Sequence, residues 1–136
     1  LDRGLKAGMT RESISDAMAI AAASEAFDAL HFSHRAFSGW VSEDQAMTRY
    51  ATLFEAARGS IPGPIAEVAA VVCHAGRRNA AGMRFHLVRA FGAGVQREQM
   101  AEGLSYVVLH RGGPTMIDAA ACWEQAASEL GLPGPY

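Results

Sequence analysis

The stretch "FHLVRAFGAGVQREQM", residues 85–100, contains the end of one helix, a glycine turn and the start of a second helix. The same pattern opens the chain, because residues 1–18 align with residues 87–104 without a gap and agree at six of eighteen positions. Composition alone would give roughly one or two agreements. The identical pairs are Leu1/Leu87, Arg3/Arg89, Ala7/Ala93, Gly8/Gly94, Arg11/Arg97 and Glu12/Glu98. We interpret the match as an internal duplication with a period of 86 residues.

The duplication predicts a partial first repeat over residues 1–58 and a second repeat over residues 64–130. The punctuation "GSIPGP" at residues 59–64 is taken as the joint between them. A histidine equivalent to His86 in the first repeat would precede Leu1 and lies outside this sequence. Only the second repeat therefore shows the histidine.

Composition favours a single all-α domain over residues 1–136, a helical bundle with two repeated modules of which the first is incomplete. Half of the residues are hydrophobic, alanine is abundant and no strand or hairpin pattern is evident. A net charge of −2 with interspersed signs argues against nucleic-acid or membrane-surface partners. No apolar run reaches the roughly 18 residues of a membrane span. The isolated Cys73 and Cys122 predict reduced thiols and a cytoplasmic location.

Helix start and stop signals divide the chain into successive helices. Thr10 is a plausible N-cap for a first long helix, which the pattern carries to about residue 37 with a break near Ser24. Ser42 and Gln45 form a capping box. The further predicted helices cover residues 42–58, 64–76, 79–92, 96–110 and 114–130, with Gly76, Gly94 and the "RGGP" at 111–114 as stops.

Glu67 and His86 lie on two helices that a short link should fold into an antiparallel hairpin. Met83, Leu87 and Ala90 share the apolar face of His86 at helical spacing. A carboxylate beside an imidazole holds the ring's tautomer, raises its pKa and supports proton transfer. Taken from the residues alone, His86 is either such a group or an ordinary core histidine.

Several of these residues together resemble the carboxymuconolactone decarboxylase family of the alkyl hydroperoxidase D-like superfamily. In that family a Glu is followed nineteen residues later by a His. A turn with a Gly and a Glu comes next, and a Gly-x-Pro segment follows it. The matching positions are Glu67, His86, Gly94, Glu98, Gly112 and Pro114, and the resemblance covers about residues 64–128.

The resemblance implies a lyase that needs no cofactor and no metal. An unsaturated carboxylated lactone loses its carboxylate, and its own conjugated carbonyl accepts the electrons. His86 is then the candidate that delivers a proton to carbon, with Glu67 orienting it. The resemblance also implies a homo-oligomer, a trimer or hexamer, with a small molecule as substrate.

The peroxidase branch of the superfamily carries a CxxC before the histidine, and here those two positions are Asn79 and Gly82. Without thiols there, the disulfide chemistry of that branch is not available. Cys73 lies six residues too early and is predicted to be a core residue. The family's N-capping Thr is replaced by Gln96, a poorer cap.

The candidates for substrate binding are Arg84, Arg111 and His110, with Arg77 and Arg78 as further possible carboxylate clamps. Arginine binds carboxylates in a bidentate manner. The alternative for each arginine is a solvated helix face. His110 stands where the family has a Tyr, and it is either a second proton-handling group or a cation at a helix C-terminus.

Two patterns in the first half carry weaker alternatives. His31 and His34 are spaced to share a metal ion, but no third ligand lies at an obvious spacing. An aromatic cluster is interpreted as core or subunit interface, with a wall of a substrate pocket as the other reading; it comprises Phe27, Phe32, Phe37 and Trp40.

Two other functions compete with the decarboxylase-like enzyme. One is a thiol-dependent peroxidase-type antioxidant protein, which would depend on Cys73 or Cys122. The other is a non-catalytic oligomeric binding protein of the same fold, which would tolerate loss of Glu67 and His86.

Overall fold

A computed structural model describes residues 2–136, and within that range every regular element is an α-helix. The all-α prediction is therefore confirmed. The helices are α1 (Asp2–Lys6), α2 (Arg11–Ala36), α3 (Glu43–Arg58), α4 (Gly63–Gly76), α5 (Ala80–Gly92) and α6 (Arg97–Leu130). Across these residues no helix combines the length and the apolar character that crossing a membrane requires.

The contacts divide the chain into two compact units, Leu1–Pro62 and Gly63–Tyr136, so that the boundary falls inside the predicted joint at 59–64. In unit 1, α2 and α3 pack on each other around a core of aromatic and aliphatic side chains. Phe27 meets Tyr50 edge-on, with ring centroids 5.1 Å apart. The loop after α3 is tied to α2, because the Asp16 carboxylate accepts bonds from the Ser60 N–H (2.8 Å) and hydroxyl (2.7 Å).

The start of α2 lies where the sequence predicts it, whereas the interior of the helix differs from the prediction. Thr10 caps the helix by accepting from the Ser13 N–H at 3.0 Å. The predicted break near Ser24 is wrong, because α2 continues to Ala36. The Ser24 hydroxyl donates to the Ile20 carbonyl at 2.9 Å, so a buried polar group is satisfied within the helix.

In unit 2, α4 packs against both α5 and α6. Gly76 ends α4 as predicted, but the left-handed residue of this helix end is Arg78, with φ +57°. The short link then runs directly into α5, which Asn79 caps by accepting from the Gly82 N–H at 3.0 Å. Inside α6, Gly112 has non-helical angles (φ 79°, ψ 172°) and divides the span where "RGGP" predicts a boundary.

The two glycine turns at residues 8 and 94 have matching backbone geometry. Gly8 has φ +88° and Gly94 has φ +87°. In each turn the next residue donates its N–H to a carbonyl five residues earlier, namely Met9 to Gly4 and Val95 to Ala90, both at 3.0 Å. Leu1, which pairs with Leu87 in the alignment, lies outside the described residues. The duplication itself remains a prediction.

Candidate active site

One face of α4 carries two buried ionisable side chains. Glu67 is 4% exposed and His74 is completely buried. They are seven residues apart, close to two helical turns, so both lie on the side of α4 that packs on the rest of unit 2. Buried ionisable groups are unusual and need partners.

The facing side of α5 supplies those partners. Its buried residues include Met83, Leu87 and Ala90, as the helical spacing predicts, and His86 among them has no exposed surface. The short link between α4 and α5 brings this face against Glu67 and His74. The sequence prediction that Glu67 and His86 share a hairpin is therefore matched by the geometry.

The Glu67 carboxylate joins two side chains of α5. His86 Nδ1 lies 2.6 Å from Oε2, and Arg89 Nε donates to Oε1 at 2.7 Å. Because an ionised carboxylate only accepts, the first contact places the imidazole proton on Nδ1. In the neutral ring the lone pair then lies on His86 Nε2.

The expected direction of the His86 pKa shift is wrong. Burial disfavours the charged ring and lowers the pKa of His86 below its usual range. The hydrogen bond and charge of Glu67 oppose this, while Arg89 adds a further lowering. Desolvation of the completely buried ring is the largest of these effects, so the pKa falls despite the carboxylate.

The described contacts of the predicted substrate-binding residues do not include Glu67 or His86. Arg84 is ion-paired with Glu129. His110 is exposed, and so is Arg111, whose side chain runs past Gly76 at the end of α4. Their assignment to substrate binding stays a prediction.

The two arginines between α4 and α5 differ in their surroundings. Arg77 Nη2 donates to His74 Nδ1 at 2.9 Å and so belongs to the buried cluster. Arg78 is exposed and lies 3.4 Å from a carboxylate oxygen of Asp118.

Sequence reasoning missed Arg89 and His74; helical spacing indicates the face on which each residue lies, but not the side chain that it meets there. Arg89 is three residues after His86 and so lies on the same side of α5, next to the carboxylate that binds the histidine. His74 is seven residues after Glu67. The rings of His74 and His86 stack with centroids 5.3 Å apart and planes at 24°.

The two cysteines and the histidine pair His31 and His34 were the other candidate groups in the sequence. Cys73 and Cys122 are half-buried and not joined in a disulfide, so Cys73 is less deeply placed than predicted. His31 stacks on Phe27, and His34 Nδ1 lies 3.2 Å from the Val41 carbonyl oxygen. Within residues 2–136 no three His, Cys, Asp or Glu side chains are grouped so as to hold a metal ion.

Of the aromatic cluster in the first half, only Phe27 is a core residue. Its side chain is 2% exposed, whereas Trp40 is 91% exposed. Phe32 and Phe37 are exposed as well. The core interpretation is therefore wrong for three of its four members, and the subunit-interface and pocket-wall interpretations are left for them.

An apolar cleft of about 150 Å³ lies near the start of α4, but its walls include neither Glu67 nor His86. Its lining residues are Pro64, Ile65, Val68, Val95 and Gln99. The buried cluster and this cleft are therefore separate features of unit 2. In comparisons with known proteins, no family model, no curated protein and no solved structure matches this chain.

Proposed function

We propose that this protein is a carboxymuconolactone decarboxylase-like enzyme that transfers a proton without a cofactor. The substrate is a small carboxylated lactone or a related compound, as the resemblance of residues 64–128 implies. The observation that carries the proposal is the 2.6 Å contact between Glu67 and His86 in a buried setting. A carboxylate that accepts from Nδ1 holds the ring in one tautomer, and an imidazole positioned in this way is a common proton-transfer group.

In the proposed reaction the bond between the substrate's ring carbon and its carboxylate breaks. Carbon dioxide leaves, and the electron pair passes to the conjugated lactone carbonyl as a dienolate. Protonated His86 then delivers the Nε2 proton to carbon, while Glu67 stabilises the charged ring through Nδ1. The neutral His86 takes up a proton from water before the next turnover.

The experiment follows the ultraviolet absorbance of 4-carboxymuconolactone with wild-type protein, His86→Ala and Glu67→Gln. We expect His86→Ala to reduce turnover at least ~10²-fold, the usual contribution of a positioned proton donor. Glu55→Gln is the matched control, because Glu55 also accepts from an arginine Nε, at 2.6 Å, but lies on the surface of unit 1. Unchanged turnover in a folded His86→Ala variant would remove His86 from the mechanism.

The same assay has an expected pH dependence. The lowered pKa of His86 makes its charged form the minor species at neutral pH. Since that form delivers the proton, we expect turnover to rise as the pH falls from 8 towards 6, as long as the protein stays folded. A rate that falls over this range would assign His86 the role of a base instead.

The thiol-dependent alternative has weaker support. Burial raises the pKa of the Cys122 thiol, which disfavours the reactive thiolate. Asn79 and Gly82 stand where the peroxidase branch has its two cysteines. Peroxide consumption that is lost in Cys73→Ser or Cys122→Ser would support that alternative against ours.

We also propose that the enzyme works in the cytoplasm as a trimer or hexamer. The large exposed fractions of Phe32, Phe37 and Trp40 fit the proposal that they lie at a subunit interface. Light scattering that shows only a monomer would contradict it.

A further inference from the structure

A second buried imidazole lies on the ring face of His86. His74 and His86 are both completely buried, and their rings stack 5.3 Å apart. Glu67 lies two turns before His74 on the same helix and contacts the ring edge of His86. One side of α4 therefore supplies both a carboxylate to the edge and an imidazole to the face of the same ring.

The contact with Arg77 fixes the state of His74. Arg77 Nη2 donates to His74 Nδ1 at 2.9 Å, and a guanidinium can only donate. His74 Nδ1 is therefore an acceptor, and the ring is neutral with its proton on Nε2. Burial, together with the neighbouring His86 and Arg77, lowers the pKa of His74 to about 3. The ring stays uncharged over the pH range in which His86 would act.

Gly82 leaves the space that His74 fills. A Cβ placed on Gly82 would lie 2.6 Å from Cγ of the His74 ring and closer still to Nδ1. Real Cβ atoms do not approach other atoms so closely. A side chain at residue 82 and an imidazole at residue 74 therefore compete for one volume.

We propose that His74 is a positioning residue for His86: it holds the ring edge-on to Glu67 and keeps water from the ring face, in the space that Gly82 leaves open. The catalytic meaning of this arrangement rests on the proposed function. The arrangement itself predicts properties of His86 that can be measured without any substrate.

The groups that act on the His86 ring come from both helices of the hairpin. From α4 they are the Glu67 carboxylate and the neutral His74, and from α5 the Arg89 guanidinium. Arg77 lies on the other side of His74, and the charged α6 side chains near this end of α4 include Arg111 and Asp118. If His74 becomes smaller while these charges remain, water reaches the ring and stabilises its charged form.

The test is an NMR titration of the imidazoles in wild-type protein, His74→Asn and His74→Phe. Asn keeps an acceptor for Arg77 but removes most of the ring, whereas Phe keeps the ring and removes the acceptor. We expect His74→Asn to move the His86 titration midpoint upward by roughly one pH unit and His74→Phe to leave it in place. His31→Phe, which changes a stacked imidazole in unit 1, is the control and should leave the His86 signals unchanged.

Two results obtained with the variants would overturn the proposal. One is a His86 midpoint in folded His74→Asn equal to that of the wild type. The other is an equal shift in His74→Phe, because it would assign the effect to the Arg77 hydrogen bond and not to the ring.

The wild-type spectrum tests the proposal even if a variant does not fold. We expect His86 to be protonated on Nδ1 and His74 on Nε2, and the opposite pattern in either ring would overturn the arrangement. Since the spectra contain no substrate, failure here is distinct from failure of the proposed enzyme activity. A lactone that is not turned over, with these signals as expected, would remove only the activity.

Discussion

The two units contain the same turn and different interiors. Around Gly8 and Gly94 the backbone hydrogen bonds correspond at an offset of 86 residues, and the two φ angles differ by one degree. Beyond the turns the helices diverge, because α2 passes through Ala26 without interruption while Gly112, at the same offset, breaks α6. The short local pattern therefore fixes the turn but not the length of the helix that follows it.

The buried side chains show the larger difference. Among the described residues, unit 1 buries aliphatic and aromatic groups, and its one buried polar residue is Ser24, whose hydroxyl bonds to its own helix. Unit 2 buries Glu67 and His74 against His86. The turn needs one segment of chain, whereas the site needs two packed helices. Similar turns are thus no sign of a similar site.

Of the substitutions considered, Gly82→Ala should destabilise the packing inside unit 2 the most. We expect the free energy of unfolding to fall by about 2–3 kcal/mol, because the new methyl group overlaps a completely buried ring. Chemical denaturation measures the change. Gly92→Ala is the control in the same helix, since a Cβ there meets nothing within 4 Å.

A double variant tests whether His74 is the cause of that loss. In a His74→Ala background the ring is absent, so Gly82→Ala should cost at least ~1 kcal/mol less than it does alone. If the losses in free energy of unfolding of the two single variants simply add in the double variant, a residue other than His74 blocks a side chain at position 82.

Acid should destabilise the wild-type protein through His74. The pKa of His74 in the folded state, about 3, lies below the usual value of 6.5, so the unfolded chain binds more protons between these pH values. The stabilising effect of the neutral ring is complete above pH 6.5 and is lost as the pH falls towards 3. From pH 7 to 5 this residue should remove about 2 kcal/mol from the free energy of unfolding.

The comparison that isolates this effect is between wild-type protein and His74→Phe, measured by denaturation at pH 7 and pH 5. The variant should lose less stability over the interval, because Phe does not titrate. The His86 pKa is lowered as well, so a part of the acid sensitivity should remain. Equal losses in both proteins would contradict the assignment of His74 as a buried neutral group.

Local rules predicted most of the helices and the contact of Glu67 with His86. Capping residues, glycine stops and helical spacing are properties of short segments, so they can be read from the chain directly. The continuity of α2 at Ser24 was not predicted, because the intrahelical bond of a buried serine cannot be told from a cap in sequence. His74 was missed because the space that its ring fills is left by Gly82 on the facing helix. A glycine in a single sequence does not show which side chain fills the space beside it.

The position of Arg89 and the direction of the His86 pKa shift share one cause. Both depend on how tightly α4 and α5 pack and on which charges the packing brings to the carboxylate. Residue spacing shows that Glu67 and His86 can meet, but it does not show that the carboxylate is shared with an arginine or that the imidazole loses all its water.

Replacing each turn glycine by alanine tests how firmly each unit holds the turn that both contain. Both glycines have left-handed angles with open space around them, so Gly→Ala strains the backbone alone, by about 1–2 kcal/mol. We expect Gly94→Ala to show this loss, because α5 and the start of α6 are anchored by buried residues such as His86 and Met100. Gly8→Ala should cost less than half as much in global unfolding, since α1 has no buried residue and can fray to relieve the strain. Denaturation gives the two losses, and hydrogen exchange at the α1 amides should report the fraying. Equal losses would mean that α1 is held as firmly as α5.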